Sequence, residues 1–141
     1  MEREQTILAI LKEHKLRLTK TRRAMIALFL REHTPLSVPQ ILDELSTQMI
    51  HVNKTTVYRE LETLEMLSIV KSVKLEDRKQ YFELATRDHH HHFVCAECEE
   101  IEDVHLDECD LERQEELLAR KNGFSVFRHS IEFFGLCKLC R

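Results

Sequence analysis

Asp88-His89-His90-His91-His92-Phe93-Val94-Cys95-Ala96-Glu97-Cys98 places four imidazoles and two thiols within eleven residues. On an extended strand successive side chains alternate between faces, so His89 and His91 point one way and His90 and His92 the other. One strand can then feed two different metal sites. Cys95 and Cys98 form a C-x-x-C pair, and Cys137 with Cys140 forms a second. Together the pairs supply the four soft ligands of a tetrahedral, all-thiolate zinc centre.

The 141 residues, 43% of them apolar, suit one ordinary domain or two small ones. A half of roughly 55 residues buries little apolar surface and commonly needs a metal or a partner subunit for stability. No N-terminal apolar segment resembles a signal peptide and no run approaches a membrane span, so the reading is of a cytoplasmic protein with no membrane partner. In a reducing compartment the five cysteines favour metal ligation over disulfides. Cys109, outside both pairs, reads as a free thiol.

The net charge of -4 hides an asymmetry between the halves. Residues 12 to 31 carry Lys12, Lys15, Arg17, Lys20, Arg22, Arg23 and Arg31 against Glu13, whereas residues 97 to 116 carry Arg113 against a long series of acids. A basic front attracts phosphates and an acidic rear attracts cations; two solvated helix faces of opposite sign would give the same pattern.

Ile7, Leu8, Ile10 and Leu11 predict a first amphipathic helix over residues 2 to 14. Thr19 caps a second, whose stripe is Met25, Ile26, Leu28, Phe29 and Leu30. Ser37 and Gln40 form a capping-box pattern, with Pro39 in the first turn of a third helix. Asn53 caps a fourth, in which Val57, Leu61 and Leu64 fix one face to the core. That leaves Lys54, Thr55, Tyr58 and Arg59 exposed on its first turns, the part of a helix-turn-helix that enters the DNA major groove. Arg reads guanine edges, Thr and Tyr pack on thymine, and Lys reaches phosphate.

Residues 69 to 74 and 80 to 84 predict a hairpin wing around Leu75-Glu76-Asp77-Arg78-Lys79. The only glycines are Gly123 and Gly135. Any left-handed helix cap in the front half must therefore use another residue, such as Ser68. Residues 89 to 106 read as extended, 108 to 121 as a helix stopped by Asn122-Gly123, and Phe124 through Leu136 as an alternating strand. The second half is thus expected to be a β-α-β unit that brings Cys137 and Cys140 beside Cys95 and Cys98.

Thr55-Thr56-Val57-Tyr58-Arg59, Phe82-Glu83-Leu84, the block His89 to Cys98, and Cys137-Lys138-Leu139-Cys140 together resemble the ferric uptake regulator (Fur) family over nearly the whole chain. The resemblance implies an α+β protein with a winged-helix DNA-binding domain over residues 1–85. A small α/β metal-binding dimerisation domain over residues 86–141 follows, carrying the four-cysteine zinc site. It implies a repressor that binds palindromic operators as a homodimer, with a tetramer as the larger assembly, when a divalent metal fills a site between the domains. The resemblance maps the regulatory ligands to Glu83, His90, His92 and Asp103. It maps a second site, within the dimerisation domain, to His89, His91, Glu112 and His129.

Where many relatives have a histidine before the third helix this chain has Pro35, leaving His33, two residues earlier, as a further candidate. Asp103 replaces a longer acid, and His91 stands where some relatives have Asp. The DNA contacts expected are Arg59, Tyr58, Thr55 and Lys54 from the fourth helix, with Arg17, Lys15 and Arg22 reaching the backbone or minor groove. Imidazole and carboxylate ligands suit Fe2+, Mn2+ or Zn2+ as regulatory metal, Fe2+ being favoured, and the thiolates suit structural Zn2+.

A zinc-uptake or peroxide-responsive regulator of the same family is the alternative, and a metal-storage or metallochaperone module a more distant one. A zinc hydrolase lacks both an H-E-x-x-H motif and a nucleophile beside a base. Neither an enzyme nor a small-molecule substrate is therefore expected. His14, His51 and His105 read as surface or core residues.

Overall fold

The computed structural model describes residues 1–75, 79–106 and 111–141. The expected wing turn around Glu76, Asp77 and Arg78, and Cys109, lie outside the described residues. The chain divides into two compact units, Met1–Arg87 and Asp88–Arg141.

The first unit runs α1 (Glu2–Glu13), α2 (Lys20–Arg31), β1 (Leu36–Ser37), α3 (Val38–Thr47), α4 (Lys54–Met66), β2 (Val70–Lys74) and β3 (Gln80–Leu84). Side chains start the helices where the sequence places caps. Thr19 Oγ1 accepts from Arg22 N at 3.1 Å and Asn53 Oδ1 accepts from Thr56 N at 2.9 Å. The Ser37 backbone N–H donates to Gln40 Oε1 at 2.8 Å. Each of these satisfies a helix-end donor that would otherwise lack a partner.

Three helices of this unit end by one device. Lys15, Met49 and Ser68 adopt φ of 54°, 58° and 56°, and the residue after each donates back five positions: Leu16 to Leu11, Ile50 to Leu45, Ile69 to Leu64, all at 2.9 Å. In all three cases both residues of the pair are apolar, which is the hydrophobic partner contact of a Schellman cap. A side chain in the left-handed region costs roughly 1–2 kcal/mol, which the carbonyl satisfaction and the apolar pair offset. Ser68 thus takes the position expected of it.

The helices pack through a continuous core. Met25, Leu28 and Phe29 of α2 and Val57, Leu61 and Leu64 of α4 are all 2% exposed or less. Strands pair antiparallel in the order β1-β3-β2, with Val70 opposite Leu84 and Lys74 opposite Gln80. The two-residue strand β1 was not legible in the sequence; it lays Leu36 and Ser37 beside Phe82 and Tyr81. Three helices, a further N-terminal helix and a β-hairpin make this a winged helix.

The second unit contains β4 (His91–Cys95), β5 (Ile101–Val104), α5 (Leu111–Asn122) and β6 (Glu132–Gly135). Its sheet has the order β5-β4-β6, antiparallel on one side of β4 and parallel on the other. The expected β-α-β unit is therefore β-β-α-β. Of the alternating run from Phe124, only Glu132–Gly135 is strand, because its ladder on β4 begins at His92 opposite Glu132 and the earlier residues lie beyond it. Gly123, at φ 70°, ends α5 as expected, its N–H donating to Ala119 at 2.8 Å.

Among the described residues of this unit the buried ones are Cys95, Cys137, His91 and His92. Every one is a metal-ligating type. No residue of α5 is buried, and Leu117, Leu118, Phe127, Phe134 and Leu139 stand 47% to 97% exposed. A unit of this size without a hydrocarbon interior commonly needs a metal or a partner subunit for stability.

Candidate DNA-binding surface and metal centres

Lys54, Thr55, Tyr58 and Arg59 are exposed on the first turns of α4, on the side away from Val57, Leu61 and Leu64. The first turn holds no acid. The positive end of the helix dipole and Lys54 therefore face solvent together, an arrangement that attracts phosphate. Lys15 and Arg17 are also exposed, in the segment between α1 and α2.

Arg22 is a correction. It was expected to reach DNA, but only 8% of it is exposed, and its guanidinium grips Glu60 of α4 through Nε at 2.8 Å and Nη2 at 3.2 Å. Nη1 donates to the Arg17 carbonyl at 2.6 Å. A nearly buried cation must be paired, and Glu60, thirty-eight residues on, supplies the pair.

The four cysteine sulfurs lie within 4.8 Å of one another. Cys98 Sγ and Cys137 Sγ are 3.8 Å apart. Four sulfurs at about 2.3 Å from a tetrahedral zinc stand about 3.8 Å apart, whereas a disulfide needs about 2.05 Å. The turn that makes this geometry places Glu99 at φ 60°, with its N–H donating to the Cys95 carbonyl at 3.0 Å. Cys95 sits where the backbone N–H groups of Cys98 and Cys137 favour its thiolate, which lowers its pKa to about 6. Cys140, hydrogen-bonded to Cys137 and Cys98 as a thiol, is pushed up to about 12. The cluster can hold a zinc ion.

The histidine run divides by strand parity as expected. His90 and His92 approach with Nε2 atoms 3.1 Å apart, and each Nε2 is 3.9 Å from Asp103 Oδ1, which the β4/β5 register sets opposite His92. His90 Nδ1 donates to the Asp88 carbonyl at 2.6 Å. That bond fixes the tautomer, leaving the Nε2 lone pair aimed at His92. Two ring nitrogens this close require a shared proton or a shared cation. Glu83 is buried in the first unit, its carboxylate meeting Arg87 Nη1 at 2.9 Å and Lys71 Nζ at 3.1 Å.

On the other face, His89, His91 and His129 bring ring nitrogens within 4.8 Å of one another, His129 Nε2 lying 3.1 Å from His89 Nε2. Burial, followed by the neighbouring His89, His129 and His90, holds His91 below the usual imidazole pKa. It is therefore the neutral lone-pair donor a metal needs. Glu112 is a second correction: it is exposed and outside this group. Glu115 takes the place beside it, accepting from His129 Nδ1 at 2.6 Å. Glu115 lies three residues along α5 from Glu112, about 4.5 Å of helix rise. The i, i+3 spacing of Glu112 and Glu115 was the available signal.

His33, exposed between α2 and β1, joins none of the metal-type groups found among the described residues. Pro35, two residues on, is buried. His105 is exposed, its ring 6.1 Å from that of His90, and it ligates nothing in these groups. No described helix is long and apolar enough to cross a membrane.

Comparison with known proteins places the chain in a family. The chain is 29% identical over 131 residues to the peroxide-responsive repressor PerR of Staphylococcus saprophyticus, covering 93% of this chain and 86% of that one. It is 30% identical over 137 residues to the ferric uptake regulation protein of Neisseria meningitidis, covering 95% and 92%. The fold is that of the Helicobacter pylori ferric uptake regulator, with a TM-score of 0.81 at 22% identity over 99% of this chain and 91% of that one. With residues 13–134 matching the family as a whole, the chain belongs to the ferric uptake regulator family of transcription regulators.

Proposed function

We propose that this chain is a metal-responsive repressor that binds palindromic operator DNA as a dimer when a divalent metal, Fe2+ by preference, is held by Glu83, His90, His92 and Asp103. The observation that carries the reading is the exposed quartet Lys54, Thr55, Tyr58 and Arg59 on a capped α4 whose opposite face is locked in the core. The convergence of His90, His92 and Asp103 supports the regulatory set, and their nitrogen and oxygen donors suit Fe(II), Mn(II) or Zn(II).

A bound cation supplies free energy that favours one arrangement of its ligands. Where the DNA-binding state is the one that holds the cation more tightly, that free energy is linked to DNA affinity. His90 contributes a lone pair oriented by Asp88, His92 a second, and Asp103 a negative charge. The four cysteines hold structural Zn2+, and His89, His91 and His129 form a second metal site with Glu115 orienting His129. The exposed Leu117, Leu118, Phe127, Phe134 and Leu139 are covered by the second copy.

The 29% identity to a peroxide-responsive repressor supports a second reading, in which oxidation of a ligand histidine is the signal. A DNA-shift titration with and without Fe(II), Mn(II) and Zn(II) tests the first reading. An oxygen-atom mass increase on His90 or His92 after peroxide treatment of the Fe(II)-loaded protein would favour the second.

A further inference from the structure

Arg22 sits between two stretches of the first unit that present exposed cations, the Lys15–Arg17 segment and the first turns of α4. Its Nε and Nη2 hold both oxygens of Glu60, the residue next to Arg59 on α4, at 2.8 and 3.2 Å. Its Nη1 holds the carbonyl of Arg17 at 2.6 Å, in the segment that exposes Lys15 and Arg17. The segment is itself bent back on this point, since Thr19 N also donates to the Arg17 carbonyl at 3.1 Å and Thr19 Oγ1 caps α2 through Arg22 N. The side chains of Arg22 and Glu60 are 10% and 16% exposed, so water competes little for either.

From this geometry we propose that Arg22 and Glu60 are positioning residues for DNA binding, tying the Lys15–Thr19 segment to α4 so that its cations and the recognition helix engage the duplex as one rigid surface. The inference rests on the DNA-binding reading above and deepens it. Two features make the tie specific. A planar guanidinium can serve three acceptors at fixed angles, whereas an ammonium cannot. Arg22 also neutralises the largely buried carboxylate of the residue that follows Arg59 on α4. Losing Arg22 therefore removes both ends of the tie, while losing Glu60 removes its α4 end and leaves the guanidinium on the Arg17 carbonyl without its counter-charge.

The experiment uses full-length protein loaded with Mn(II) and a duplex selected by the wild-type protein from a random-sequence pool. Affinity is measured as a function of salt for wild type, Arg22→Gln, Arg22→Lys, Glu60→Gln and the Arg22→Gln/Glu60→Gln double variant. Circular dichroism confirms the helical content of each, and Arg22→Lys keeps the test open should Arg22→Gln fold poorly. The expected result is a loss of roughly tenfold for Arg22→Gln and a smaller one for Glu60→Gln, with the double variant no worse than Arg22→Gln alone. The slope of log affinity against log salt should not change.

If Arg22 instead touches a phosphate, its replacement lowers that slope by about 0.9 and Glu60→Gln is neutral, which overturns the proposal. Unchanged affinity in all variants overturns it as well. Amide hydrogen exchange separates this from the functional reading without any DNA. Glu60→Gln should speed exchange at Thr19, whose N–H is held by the Arg17 carbonyl far from Glu60 in sequence, and no change there defeats the tie even in a protein that binds DNA. If the wild type selects no duplex, the functional reading fails while the exchange data still decide the tie.

Discussion

His129 and Glu115 meet across 2.6 Å, Nδ1 to Oε1, and the same ring turns its Nε2 to within 3.1 Å of His89. A carboxylate on one ring nitrogen fixes the tautomer and raises the basicity of the other, the usual support of a metal-binding histidine. Glu115→Gln should therefore weaken metal binding at the His89, His91 and His129 site by about 10–100-fold, whereas Glu112→Gln leaves it nearly unchanged. Competition with a chromophoric chelator gives both numbers. Equal effects of the two would return Glu112 to the site.

The second unit buries no hydrocarbon side chain among its described residues, so zinc removal should cost it its fold. Cys137→Ser, or strong chelation, is expected to abolish cooperative melting of residues 88–141 while α1 to α4 persist. Hydrogen exchange resolved by segment checks this. Protection surviving in β4 and β6 without zinc would show another source of stability.

Zinc uptake should release protons, and its affinity should rise with pH. Cys95, lowered to about 6, is mostly thiolate at neutral pH, whereas Cys140, raised to about 12, must give up its proton to bind. Affinity therefore falls as pH drops and thiolates are protonated. Calorimetry in two buffers of different ionisation enthalpy reads the protons released. An affinity that stays constant from about pH 6 to about pH 8 would contradict the assignment.

Ser68 holds φ 56° at the end of α4. Ser68→Gly removes the left-handed penalty and should stabilise the first unit by about 0.5–1 kcal/mol, less than the full penalty because glycine loses more entropy on folding. A higher urea midpoint at unchanged m-value is the readout. A lower one would mean that the serine side chain contributes more than the strain costs.

What was legible in the sequence followed from periodicity and from ligand spacing. A period of two sorted the histidines onto two faces, and the i, i+4, i+7 spacing of Val57, Leu61 and Leu64 exposed the right turn of α4. Neither rule says which of several like charges finds a partner. Arg22 looked like its neighbours Lys20 and Arg23, because Glu60, which claims it, is remote in sequence. Glu112 and Glu115 lie three residues apart on the same helix, and composition does not say which of the two meets the ring of His129. The two-residue β1 is too short for any pattern, and residues 124–131 alternate like a strand but precede the ladder on β4, which begins at Glu132 opposite His92.

The most direct measurement of the central claim is metal titration at a fixed concentration of selected operator duplex, followed by fluorescence anisotropy, for wild type and His92→Ala. His92 is buried with its Nε2 against His90, and it belongs to β4 of the second unit rather than to α4, the helix proposed to contact DNA. Saturable, operator-specific binding that appears with Fe(II) or Mn(II) and is lost in His92→Ala, with zinc content and helicity retained, is the predicted result. Binding that is independent of metal and blind to sequence, or equal in the two proteins, would contradict it.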